Sequence, residues 1–434
     1  MRRRLAVVTV GCKANFADSA GIAALALRAG FQVVSETGPA DVFIINSCTV
    51  THRADRDSRA LARRLRRQNR EAVILMIGCY ARTAPGDHAM LPEVDRWLEN
   101  SSPETLLPLL RFLAGESAIL STEPSLAAID KLLGRTRTFL KIQDGCDSAC
   151  AYCIVPKARG PSRSVSQEEL LELARRAERD GAREIVLTGI HAGRYGADRG
   201  EADGLAVLLE KLMEATSACR FRLGSVEPLE ITPRLIELIA GEKRICPHLH
   251  VPMQSGSNKV LRRMRRPYDV TVYREKLFAI TAAISEARLG ADVIAGFPGE
   301  SELDFSETLH RIRELPLSYL HAFSYSTRTG TESAGFADDV TALEKKRRTN
   351  LLRKMDEEMR GSYAEAQVGK TLSVIAESES EEGGNRKVKG LSENYLEVVF
   401  PSQNAAVGDI FPVHILLARE GKLEGRIERA DKRN

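Results

Sequence analysis

Six of the eight cysteines in this chain fall into two sets of three. One set is tight: Cys146, Cys150 and Cys153 lie within Cys-Asp-Ser-Ala-Cys-Ala-Tyr-Cys. The other is scattered as Cys12, Cys48 and Cys79. Thiolates hold iron-sulfur clusters, and four cysteines normally fill the four irons of a cubane cluster. Three leave one iron open to a non-protein ligand. Two such sites suggest one cluster that makes a radical and a second that supplies something to the product. Structural zinc sites pair Cys-x2-4-Cys with a distant second pair, and no second pair follows the tight set.

The elements that must position these thiols can be read from apolar periodicity. Over residues 1–125, the runs Leu5–Val10, Asp41–Asn46 and Ala72–Gly78 read as strands, and Phe16–Gly30 and Ala54–Asn69 as helices. That alternation marks an open parallel α/β sheet. Cys12, Cys48 and Cys79 each follow one of the three strands. The carboxyl ends of parallel strands line the ligand crevice, so the three thiols can converge there. Buried cysteine often serves as a small hydrophobe, but that does not explain one shared topological position. Cys219 and Cys246, outside both sets, do read as small buried residues.

Residues 132–364 repeat strand and helix. Strands are expected at Thr138–Gln143, Glu184–Thr188, Arg220–Ser225, His248–Val251, Ala291–Ala295 and Tyr319–Tyr325, and a linking helix at Glu344–Glu365. Six βα units predict a partial parallel barrel, open on one side, whose active face is the loops after the strands. The tight cysteine set occupies the first of those loops. Residues 365–434 lose helical period and predict a small all-β barrel, with segments Thr371–Ala376, Tyr395–Phe400 and Phe411–Leu417. His248 and His250 alternate on a strand and read as core packing.

A chain of 434 residues, 43% hydrophobic and 28% charged, can bury more than one core. The net charge of +4 hides an asymmetry: residues 1–70 carry thirteen Lys and Arg against five Asp and Glu, and residues 365–434 ten against twelve. Arg56, Arg59, Arg63, Arg66, Arg67 and Arg70 recur at helical spacing as one basic ridge, either a solvated face or a contact for a phosphate backbone. No apolar stretch approaches the roughly 20 residues that span a bilayer. Thiolates that hold iron need a reducing compartment, so the cytoplasm is expected.

Cys146-x3-Cys150-x2-Cys153 resembles the signature of radical S-adenosylmethionine enzymes, whose open barrel the six-unit repeat also resembles. The segments Gly11–Asn15, Ile45–Thr51 and Gly78–Ala81 resemble the three cysteine motifs of the methylthiotransferases. Ile142–Cys146 and Pro156–Gly160 extend the likeness around the tight set, and the C-terminal block resembles the RNA-binding TRAM barrel. Leu187–Gly193, Tyr325–Thr331 and Glu393–Tyr395 are most similar to the branch acting on N6-threonylcarbamoyladenosine beside the tRNA anticodon. Arg82, Ser47 and Pro252-Met253 depart from that branch's pattern, the last reading partly like the branch that acts on prenylated adenosine. A further branch methylthiolates an aspartate of a ribosomal protein.

The resemblance implies two 4Fe-4S clusters and S-adenosylmethionine. One S-adenosylmethionine methylates sulfur at the Cys12, Cys48, Cys79 cluster; a second, on the Cys146 cluster, yields the radical that removes hydrogen from carbon 2 of the adenine. The implied partners are a tRNA anticodon stem-loop, an electron donor of flavodoxin or ferredoxin type, and a sulfur donor that the sequence leaves unnamed. For S-adenosylmethionine the candidate contacts are Gly189, Ser225, Glu227, Gln254, Ser255 and Gly296, each after a barrel strand; an ordinary tight turn is the competing reading at every one. For tRNA they are Arg63, Arg66 and Arg67, with Arg328 facing the threonyl carboxylate or merely pairing with Glu332.

Overall fold

The computed structural model describes residues 2–99, 101–115, 124–382, 385–401 and 405–428. The chain divides into two compact units. The first is built from residues 1–148, 153–182 and 187–191, the second from 149–152, 183–186 and 192–434.

In the first unit a parallel sheet is ordered β2-β1-β3-β4-β5, with β1 Arg4–Thr9, β2 Gln32–Val34, β3 Val42–Ser47, β4 Val73–Gly78 and β5 Arg96–Trp97. Its strands are apolar on both faces because helices cover both. Helix α1 (Lys13–Arg28) and the helix Pro103–Ala114 bury Ile22, Leu25, Leu106 and Leu110 against Leu5, Val7 and Ile44. On the other face Leu61 and Leu65 of α2 (His52–Gln68) meet Phe43, Ile45 and Ile74. Helix α1 begins at Lys13 rather than Phe16, which makes Cys12 its N-cap. The edge strands β2 and β5 are too short to leave a period in the sequence. The same unit holds β6 (Thr138–Asp144), which pairs antiparallel with β7 (Arg163–Ser164).

The chain crosses between the units inside β8 (Glu184–Gly189). The second unit continues the strand-helix repeat with β9 (Arg220–Leu223), β10 (His248–His250), β11 (Arg288–Ala295) and β12 (Tyr319–Ser324), so every expected barrel strand is present. Strands β10, β11 and β12 form a parallel sheet, and bridges Phe221–Ile245 and Ser225–His250 carry β9 onto it. The linking helix runs Ala342–Glu365.

The C-terminal segment closes into a five-stranded barrel, ordered β13-β14-β15-β17-β16, around Val374, Val388, Val398, Phe400, Val413 and Leu423. Its strands are β13 Thr371–Glu382, β14 Asn385–Ser392, β15 Glu397–Pro401, β16 Ile410–Arg419 and β17 Lys422–Ile427. Tyr395, expected to begin a strand, instead sits in a turn with φ +67°. Among the described residues no helix is long and apolar enough to cross a membrane.

Candidate active site

The scattered cysteines sit where β1, β3 and β4 end. Cys12 caps α1, Cys48 follows β3, and Cys79 opens the short helix α3 (Cys79–Thr83). Two glycines let these ends crowd together. At Gly11 (φ +128°) a Cβ would stand 2.6 Å from Cβ of Cys48, and at Gly78 (φ +90°) 2.5 Å from the carbonyl of Ser47. Asn15 and Asn46 lock the same ends: the Asn15 amide donates to the carbonyls of Val10 (2.9 Å) and Ser47 (3.1 Å), and the Asn46 amide donates to the Asn15 carbonyl (2.9 Å).

The thiols are close enough for Cys48 to feel the charge of Cys12 and Cys79, and for Cys79 to feel that of Cys12. Burial, with smaller contributions from Cys12 and Cys79, pushes the Cys48 thiol up to about 12. Burial also raises Cys79, against the pull of the Arg159 guanidinium, whose Nε donates to its sulfur at 3.3 Å. Thiols of this kind bind metal by releasing their protons.

In the tight set, Cys146 follows β6 on a pinned turn. Its N–H donates to the Gly160 carbonyl at 3.0 Å, and a Cβ on Gly145 would lie 1.9 Å from the Pro161 carbonyl oxygen. Burial raises the Cys146 thiol, but hydrogen bonding with His191 Nδ1 (3.5 Å) and with the hydroxyl and N–H (3.4 Å) of Ser148 outweighs it and holds the group below its ordinary value. His191 is itself placed by its backbone N–H, which donates to Oε1 of Gln143 at 2.8 Å. In the second unit Nη1 of Arg266 approaches the Cys150 sulfur at 3.2 Å while Nη2 pairs with Glu227.

The remaining candidates divide by exposure. Gly189 ends β8, where a Cβ would touch the Gln143 carbonyl at 3.0 Å. Ser225 is exposed and Glu227 half-buried. Gln254 holds a left-handed backbone, φ +64°, and Gly296 (φ +75°) gives its N–H to Glu300 at 2.6 Å. Ser255 differs: it is fully buried, its hydroxyl accepts from the Ser257 N–H and lies 3.4 Å from that of Thr308, so it braces the turn.

The basic ridge also divides. Arg56, Arg63, Arg67 and Arg70 are exposed. Arg59 reaches Tyr80 and Asp87. Arg66 donates to the carbonyls of Arg70, Ala72 and Glu93 and to Asp95 at 2.6 Å, so it staples α2 to the sheet and is not a loose phosphate donor.

Arg328 is buried after β12, and Glu332, its expected neighbour, pairs with Arg265 at 2.9 Å. His248 packs in the core, stacked on Tyr395. His250 and His321 share Oδ1 of Asp292, at 2.9 and 3.2 Å, a mutually satisfied trio. Cys219 and Cys246 are buried, as expected.

Residues 140–312 match the Radical SAM superfamily, and residues 4–98 match the uncharacterized protein family UPF0004. The chain is 36% identical over 430 residues to the threonylcarbamoyladenosine tRNA methylthiotransferase MtaB of Bacillus subtilis (strain 168), covering 97% of this chain and 95% of that protein. The chain belongs to the radical SAM methylthiotransferase family. To the tRNA-2-methylthio-N(6)-dimethylallyladenosine synthase of Pelotomaculum thermopropionicum it is 30% identical, covering 98% of this chain and 97% of the other. Among solved structures it shares its fold with the cobalamin-dependent radical enzyme OxsB (TM-score 0.51, 14% identity, 82% of this chain and 56% of the other). It shares it too with the radical methyltransferase TsrM of Kitasatospora setae (TM-score 0.53, 12% identity, 74% of each).

A 4Fe-4S cluster and S-adenosylmethionine, which the superfamily implies, suit the tight set of this methylthiotransferase: three thiols leave a fourth iron for the cofactor, and Cys146 is already biased toward thiolate. The scattered set offers the same donor chemistry. Four residues around the sulfurs were absent from the sequence-based site: Gln143, Arg159, His191 and Arg266. The first three stand inside the motifs that carry the family resemblance. Arg266 gave no signal, because it lies among Arg262, Arg263 and Arg265 in a run that reads as solvated surface.

Proposed function

We propose that this methylthiotransferase converts N6-threonylcarbamoyladenosine, beside the tRNA anticodon on its 3′ side, to the 2-methylthio derivative. The choice of base is carried by the likeness to the Bacillus subtilis protein, 36% against 30% for the dimethylallyladenosine relative, at nearly full coverage of both. When bound, the clusters and S-adenosylmethionine supply the adenosyl radical, the methyl group and a sulfur-bearing iron. The chain's own residues do the rest. Cys146, Cys150 and Cys153 hold the radical cluster, and Cys12, Cys48 and Cys79 hold the second. Gly189, Ser225, Glu227, Gln254 and Gly296 line the turns that receive S-adenosylmethionine; Ser255 leaves this group because its hydroxyl faces inward.

Exposed Arg63 and Arg67 contact phosphates, and the C-terminal barrel, TRAM-like in its five strands, holds RNA. A base in the anticodon loop is single-stranded, so it is extruded at small cost. Arg328 meets the threonyl carboxylate, since a guanidinium can bind it through two parallel hydrogen bonds. An electron donor of flavodoxin or ferredoxin type, a separate sulfur donor and a cytoplasmic setting complete the reading, the last supported by oxygen-sensitive thiolate chemistry.

The test is mass spectrometry of nucleosides after incubating the reconstituted protein with tRNA bearing either the threonylcarbamoyl or the prenyl group. A polar pocket left unpaired by the wrong substrate discriminates strongly. Methylthiolation is expected of the first tRNA and little of the second, with Arg328→Ala losing much of the preference. Preferential turnover of prenylated tRNA would sink the assignment; normal selectivity in the variant would remove only Arg328 from it.

A further inference from the structure

Arg159 closes the short helix Val155–Arg159, is 9% exposed, and spends every nitrogen of its guanidinium. Nη2 donates to Oδ1 of Asn15 at 2.6 Å, and Nη1 donates to Asp18 at 2.7 Å and to both oxygens of Asp144 at 3.3 Å. These acceptors fix the guanidinium plane and leave Nε aimed at the Cys79 sulfur, 3.3 Å away. Lys141 joins the same carboxylates, at 2.5 Å to Asp18 and 3.0 Å to Asp144, so two cations face two anions. With both carboxylates shared in this way, the Nε bond to the Cys79 sulfur ties Arg159 directly to a thiol of the scattered set.

The network also reaches the other cysteine set. Asp144 accepts the Gly145 N–H at 2.8 Å, immediately before Cys146, and the carbonyl of Gly160, next after Arg159, accepts the Cys146 N–H at 3.0 Å. One buried arginine thus has a sulfur of the scattered set on one side and the backbone of the tight set's first cysteine on the other.

Reduction adds negative charge to a cluster and its thiolates. A fixed N–H donor and positive charge at a ligand sulfur favour the reduced form, so the potential rises. We propose that Arg159 is a positioning residue that raises the reduction potential of the cluster on Cys12, Cys48 and Cys79. This rests on the proposal above that these three cysteines hold a cluster.

The test isolates that cluster by using the full chain with Cys146, Cys150 and Cys153 replaced by Ala, reconstituted anaerobically and titrated by electron paramagnetic resonance. Arg159→Met removes the donor and the charge; Arg159→Gln removes the charge but keeps an N–H donor. The Met variant should need a more negative potential for half reduction, with the reduced-to-oxidised ratio at fixed potential falling about tenfold, which is about 59 mV for one electron. The Gln variant should fall between. An unchanged potential in the Met variant, with iron retained, would overturn the proposal. Loss of iron from both variants in folded chains, by circular dichroism, would assign Arg159 to cluster retention and likewise overturn it. If the Arg159-containing parent itself binds no iron, the cluster reading fails, and the proposal with it, before either variant is compared.

Discussion

Nη1 of Arg266 lies 3.2 Å from the sulfur of Cys150, while Nη2 of the same guanidinium is engaged by Glu227. Tyr268 stacks beneath it, with the guanidinium carbon 4.9 Å from the ring centre. The tight cysteine set therefore has a cation fixed against one ligand, and that cation also orients a carboxylate proposed to meet S-adenosylmethionine. Outer partners of metal ligands typically contribute about 10- to 100-fold in affinity or activity. Arg266→Met should slow reductive cleavage of S-adenosylmethionine by about that factor, read as 5′-deoxyadenosine released with dithionite. Arg266→Lys should recover part of the loss, because it restores charge without the fork. Full-rate cleavage by the Met variant would show that the contact is packing alone.

The two cysteine sets are built on different strand ends, so the clusters proposed for them should assemble independently. Replacing Cys146, Cys150 and Cys153 by Ala should leave about half of the iron, four of eight for two cubane clusters, and abolish S-adenosylmethionine cleavage. Replacing Cys12, Cys48 and Cys79 should also halve the iron, yet spare cleavage and stop sulfur insertion. Full iron and methylthiolated product from the second variant would end the two-cluster account.

On α2 the arginines should separate by what they already hold. Arg63→Glu with Arg67→Glu should weaken tRNA binding and flatten its salt dependence, each lost phosphate contact lowering the slope of log affinity against log salt by roughly one. Arg66→Ala should leave that slope alone and lower stability by about 1 kcal/mol, through the part-buried carbonyls and the exposed Asp95 carboxylate it now engages. Equal slopes for wild type and the double variant would return the ridge to a solvated face.

Glu184 is fully buried and accepts from Nε of Arg220 and Nε of Arg222, each at 2.7 Å. Arg222 has no exposed surface either. Removing one member of a buried ion group strands the rest, at a cost of about 3–5 kcal/mol. Glu184→Gln should accordingly lower the apparent melting temperature far more than a surface substitution such as Glu210→Gln, as calorimetry would reveal. Equal melting temperatures for the two would mean that solvent reaches the pair.

The positions of the six cysteines were legible because strand ends and thiol spacing are local features: β1, β3 and β4 announce themselves as apolar runs, and the cysteine follows each run. The barrel strands were legible for the same reason. Strands β14 and β17 were not, since Asn385–Ser392 and Lys422–Ile427 carry lysine, arginine and glycine on a barrel only five strands around, with few residues turned inward. Least visible were charged residues that the fold buries. Arg222 and Arg266 look like surface in sequence, Arg159 is marked only by the motif around it, and only the tertiary placement of Asp18, Glu184 and Glu227 makes their burial tolerable.

The guanidiniums on Glu184 do not stop at it. Arg220 and Arg222 run on to the carbonyls of Ser373, Leu391, Ser392 and Glu393, and Arg288 to that of Tyr395, so the small C-terminal barrel is clamped to the strands that precede it. A module hung on a flexible tether raises the local concentration of whatever it grips, and the gain depends on tether length. A clamped module works as a ruler. If the barrel grips RNA as proposed, the span from that grip to the strand ends of β9, β10 and β11 is set by the protein, and the nucleotide that arrives there would be chosen by its distance along the folded RNA and not by the letters around it.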